Sequence, residues 1–95
     1  MDIEQRQLAR AIAHPMYCQA MVEFATRSDF SFKKHKIIFA AIKECYEKGV
    51  KASKETIVGY LAQTNDLEEA GGAEYIEKIV DDWITALGER IPPMG

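Results

Sequence analysis

Nowhere in the sequence do apolar and polar residues alternate over the about four to eight positions that a half-buried strand needs between turn signals, so no segment reads as β. No uninterrupted apolar run approaches the ~18 residues of a membrane span, and the opening MDIEQRQLAR carries no apolar export core. The expectation is a cytoplasmic chain with no membrane contact. Cysteine is scarce: Cys18 and Cys45, with no CxxC spacing, provide neither a disulfide framework nor a zinc ligand set, and reduced thiols are expected. Only His14 and His35 could serve as imidazole bases, and no GxSxG elbow is present, which leaves a hydrolytic nucleophile without its surroundings. The stretch GVKASKET from Gly49 lacks the second glycine of a GxxxxGK[ST] loop, so no phosphate cradle is encoded. This chain by itself is therefore expected to be no enzyme and to hold no cofactor and no metal. Positive charge is not in excess either: 12 Lys and Arg stand against 15 Asp and Glu, a net charge of -3, which disfavours a domain built to grip nucleic acid and points to a protein partner.

What is present is helical. Ninety-five residues at 47% hydrophobic content fit one domain near the lower size limit for an independent core, where association with copies of itself or with a partner adds stability. Asp2 with Gln5 three residues on has the form of a capping box opening a first helix to about Ala13, with Leu8, Ala9, Ala11 and Ile12 on its apolar face. Pro15 suits the first turn of a second helix whose stripe is Met16, Ala20, Met21 and Phe24. From Ser31 to Lys48 the positions Phe32, Ile38, Phe39, Ile42, Cys45 and Tyr46 give the longest amphipathic stripe, closed by Gly49. Ser53 caps a fourth helix carrying Ile57, Val58, Tyr60 and Leu61, and residues 67 to 70 have room for one further turn. A last helix follows the doublet Gly71 and Gly72, with Tyr75, Ile76, Ile79, Val80, Trp83, Ile84 and Leu87 apolar, and is expected to end at Gly88 before Pro92 and Pro93. The fold class is all-α, a compact orthogonal bundle of five to six short helices over residues 1–88, with 89–95 as a loose tail or the start of a linker.

Four groups of residues invite a functional reading. Lys33, Lys34 and Lys36 open a helix whose dipole prefers anions; a phosphate, an acidic partner or plain solvation are the alternatives. Trp83, Ile84 and Leu87 lie where a small domain has little core left to cover them, which suits either a core lid or an interface. His35 reads as a packed, hydrogen-bonded histidine, and the adjacent Asp81 and Asp82 as solvated charges, because neighbours on a helix point to different azimuths.

Three stretches also share a family pattern: IEQRQLARAI at residues 3 to 12, SDFSFKKHKIIFAAI at 28 to 42 and DLEEAGGAEYIEKI at 66 to 79, containing Asp29, Phe30, His35, Phe39, Gly71, Gly72 and Tyr75 in order. Together they resemble the N-terminal domain of bacterial or phage replicative DNA helicases of the DnaB type. The resemblance runs from about residue 2 to residue 80. Ser53 stands where that family commonly has an aspartate, Ser31 and Phe32 depart from its aromatic after AspPhe, and the segment after Val80 matches nothing in the pattern. The resemblance implies that the glycine doublet is a structural corner. It further implies a collar module that associates with itself as a dimer or higher oligomer and contacts primase or a helicase loader during DNA replication. DNA would be met only through the parent assembly, whose ATP-driven motor lies in another domain. A free-standing phage or mobile-element protein of the same fold, binding a host replication protein, is the alternative; a small α-helical DNA-binding domain is a second.

Overall fold

A computed structural model describes residues 2–90, with side chains through residue 86. Five α-helices follow in order: α1 (Ile3–Ala13), α2 (Pro15–Phe24), α3 (Lys33–Glu47), α4 (Lys54–Gln63) and α5 (Gly72–Arg90), with a 3-10 turn at Arg27–Asp29 between α2 and α3. No strand occurs among the described residues, and no helix among them is long and apolar enough to cross a membrane. The chain is all-α.

The helix boundaries follow local chemistry. Asp2 Oδ1 accepts from the Gln5 backbone N–H at 2.8 Å while Gln5 Oε1 accepts from the Asp2 N–H at 3.1 Å, so two of the orphan donors of α1 are satisfied reciprocally. Pro15 opens α2, where its missing N–H costs nothing. Gly49, at φ 74°, turns the chain out of α3 and lets its own N–H and that of Val50 reach the Tyr46 and Cys45 carbonyls. Ser53 caps α4 by accepting from the Thr56 N–H at 3.2 Å.

α3 supplies the middle of the core, with Ile38, Phe39, Ala41 and Ile42 fully enclosed, and α1 packs on it through Leu8, Ala9, Ala11 and Ile12. Phe30 is buried just before α3, its ring centroid 5.2 Å from that of Phe39 in a tilted pair. α4 closes one side with Ile57 and Leu61, and α5 lays Ile76, Ile79 and Val80 against α1 and α4. Cys18 and Cys45 are buried and unbridged, and burial pushes both thiols above their ordinary range, which keeps them protonated and poorly nucleophilic.

Three expectations need correction. The apolar face of α2 is Cys18 and Met21, whereas Met16 and Phe24 are 84% and 83% exposed. A ten-residue helix that is apolar on most sides carries two possible stripes, and the surface beneath it chooses. The third helix begins at Lys33 rather than Ser31, leaving Phe32 outside it and half exposed. Gly88 does not end α5, which continues to Arg90; one glycine in a helix costs only about 1 kcal/mol, too little to stop it. Of the expected loose tail, residues 91–95 lie outside the described residues.

Candidate functional site

The capping box at the start of α1 has a second use. With its Oε1 held by the Asp2 N–H, the Gln5 side chain presents its Nε2 to Tyr75 Oη, on α5, at 3.1 Å. Tyr75 Oη is in turn 2.6 Å from His35 Nε2, on α3, and His35 Nδ1 is 2.9 Å from Glu4 Oε1, back on α1. A carboxylate only accepts, so Nδ1 donates to Glu4; Tyr75 accepts from Gln5 and spends its one proton on Nε2. In this arrangement the ring is the Nδ1–H tautomer, an assignment made from the hydrogen-bond network, with every group paired. Glu4 also accepts from the Ser31 N–H through both oxygens, at 3.1 and 3.0 Å, fixing the segment that leads into α3. His35 is 1% exposed, Phe32 meets its ring edge to face, and no buried side-chain donor or acceptor among the described residues lacks a partner. Four side chains from three helices form one closed polar clip.

The clip has a pH signature. The hydrogen bond from His35, followed by that from Ser31, holds the Glu4 carboxyl below its ordinary value of 4.5. A carboxyl that binds its proton more weakly in the folded state stabilises the fold fully above the unfolded value and loses that contribution as pH falls through the folded one. Unfolding free energy should therefore drop as the pH is taken below 4.5, and Glu4→Gln should flatten that part of the profile. Urea melts of both proteins between neutral and acidic pH would check it; identical slopes would remove Glu4 from the acid response.

The glycine corner feeds the same clip. Both Gly71 and Gly72 have positive φ, 100° and 84°, and a Cβ on Gly71 would sit 2.8 Å from the Tyr75 ring. The bare backbone at 71 is what lets that ring lie where its hydroxyl meets His35 and Gln5.

The three lysines do not converge on a common ligand position. Lys33 pairs with Glu69 at 3.1 Å, Lys34 Nζ stands 4.1 Å over the Tyr75 ring, and Lys36 is half-buried on α3. Asp81 and Asp82 likewise go to separate lysines, Lys54 and Lys78, and the Asp81 carboxylate pushes the Lys54 ammonium up from its ordinary value.

Trp83 and Ile84 point apart, as adjacent helix positions must. Trp83 is half-buried against the core with His14 edge to face at 5.1 Å, while Ile84 is 50% exposed on another azimuth. The side chain of Leu87 lies outside the described residues. Trp83 instead forms part of an open cleft of about 1110 Å³ between α1 and the C-terminal half of α5, where Ile3, Arg6 and Arg10 line one wall and Met16 and Tyr17 come from the first turn of α2. Sequence reading missed this cleft and the part Glu4 plays in the clip. The four-residue step from Arg6 to Arg10 was the one local signal, and it marks a helix face without saying what stands opposite.

The described residues thus form a small helical domain with a polar clip joining three helices and an aromatic-lined cleft between two of them. The profile of the DnaB-like helicase N terminal domain matches residues 1–89, and the chain belongs to that family. The match passes Val80, so the family extends over the α5 segment that carried no resemblance by sequence pattern. The replicative DNA helicase DnaB of Leifsonia xyli subsp. xyli (strain CTCB07) is 34% identical over 59 residues, a region that covers 62% of this chain and 13% of that protein. The crystal structure of the N-terminal domain of DnaB helicase from Mycobacterium tuberculosis superposes with a TM-score of 0.77 at 24% identity, over 82% of this chain and 54% of that one, a likeness of fold.

Proposed function

We propose that this chain is the assembly module of a replicative DNA helicase: it associates with further copies of itself, offers a surface to primase or a helicase loader, and contributes no motor chemistry. Family membership supports the replicative setting, and the absence of a phosphate-cradling loop supports a role without ATP turnover. The observation that carries the self-association reading is on α5. That helix continues past its last buried residues, Ile79 and Val80, and takes Trp83 and Ile84 to the edge of the core with Ile84 half exposed.

Sedimentation over a concentration series tests it, with denaturant melts alongside. Wild type should be at least dimeric at about micromolar concentration, and Ile84→Glu should shift the equilibrium toward monomer while stability changes by no more than about 0.5 kcal/mol, as for a surface site. Trp83→Ala should weaken association and also lower stability by about 2 kcal/mol, because its ring half belongs to the core. A wild type that stays monomeric at high concentration would end the self-association reading.

A further inference from the structure

The cleft between α1 and α5 is unlike the rest of the surface. In a chain of net charge -3 its α1 wall presents Arg6 and Arg10, one turn apart, while Asp82 on the opposite wall is engaged by Lys78 at 3.0 Å. Between these rims lie apolar groups open to solvent: Ile3 is 70% and Met16 84% exposed, with the Trp83 ring beside them. The Arg10 guanidinium rests 4.4 Å over Tyr17, which holds that charge at the rim. The lining residues of α1 run from Ile3 to Arg10, a rise of about 10 Å, or two turns of helix.

From this arrangement we propose that the cleft docks an acidic amphipathic helix of a partner protein, its apolar side on Met16, Ile3 and Trp83 and its carboxylates on Arg6 and Arg10. This rests on the assembly-module reading and assigns that module a partner chemistry. Two helices with a trough between them receive a third in the ordinary helix-in-groove manner, where apolar anchors supply affinity and rim charges select the partner. Single-stranded nucleic acid is the less favoured occupant. Trp83 and Tyr17 offer stacking faces, but two arginines in a chain of net charge -3 give little to track a phosphate backbone.

Trp83 is the only tryptophan of the chain, so its emission reports on the cleft directly. The probes are a synthetic helix of about 14 residues with leucine at helical spacing and glutamate elsewhere, the same peptide with lysine for glutamate, and an oligothymidylate. The glutamate peptide should shift Trp83 emission saturably and bind about tenfold more tightly than the lysine peptide, and Arg6→Glu with Arg10→Glu should reverse that preference. Met16→Ser, at an exposed position that folding does not need, should weaken the glutamate peptide without altering the charge preference. Equal binding of the two peptides, no binding of either, or a response to oligothymidylate alone would each overturn the proposal. The titrations are run where sedimentation shows a single species, so a monomeric wild type, which would end the self-association reading, leaves this measurement standing.

Discussion

Replacing His35 with alanine is expected to lower the unfolding free energy by about 3 kcal/mol, combining an emptied ring site in the core with the loss of two hydrogen bonds. The ring is 1% exposed and holds Glu4 on one nitrogen and Tyr75 on the other, so alanine removes the link of α3 to both α1 and α5 at one stroke, leaving only the Gln5 and Tyr75 bond. Tyr75→Phe keeps the ring and removes only the hydroxyl, leaving His35 Nε2 buried without a partner; about 1 to 2 kcal/mol is expected. The two changes break the same bond, so the double variant should cost less than their sum, by more than the few tenths of a kcal/mol that distant sites show. Urea melts of the four proteins measure this. Strict additivity would mean that the His35 and Tyr75 contact carries no coupling, and a His35→Ala variant as stable as wild type would reduce the clip to a set of close distances.

The two glycines of the corner should respond very differently to the same substitution. At Gly72 a Cβ meets nothing within 4 Å, so alanine there faces only the cost of a left-handed backbone, about 1 kcal/mol. At Gly71 the φ of 100° lies farther from any conformation alanine accepts, and the new Cβ would fall 2.8 to 2.9 Å from three carbons of the Tyr75 side chain. That ring cannot step aside without giving up His35 and Gln5, so Gly71→Ala should cost about 3 kcal/mol or more. A cycle with Tyr75→Ala separates the two causes: with the ring gone, the cost of Gly71→Ala should fall toward that of Gly72→Ala, leaving the backbone part alone. Equal costs for the two glycines in the wild-type background would show that the corner yields and that the contact is not a constraint.

Much of this fold was legible in short stretches of sequence because its helix ends are set by neighbours. Asp2 with Gln5, Pro15, Gly49, Ser53 and the glycine doublet each act within about four residues, so the chain alone marks where helices begin and end. The apolar face of α1 and the middle of that of α3, Ile38, Phe39, Ile42 and Cys45, were legible because core positions repeat at helical spacing, whereas Phe32 and Tyr46 at the two ends of the α3 stripe are exposed.

Where two faces were equally apolar, as on α2, periodicity could not choose, and it was the packing partner that buried Cys18 and Met21 and left Met16 and Phe24 in solvent. The clip was beyond local reading altogether. Glu4 and His35 are 31 positions apart and His35 and Tyr75 40, and nothing near any of them announces the others. The same holds for Lys33 and Lys34, whose charges are answered by Glu69 and the Tyr75 ring, and for Trp83, half covered by a histidine from the far end of α1. Backbone caps and turns are decided by contacts within a few residues, and the sequence by itself determined them. Which charge meets which ring, and which apolar side chain is left open to a partner, depend on how separate helices are brought together, and only the tertiary structure decided that.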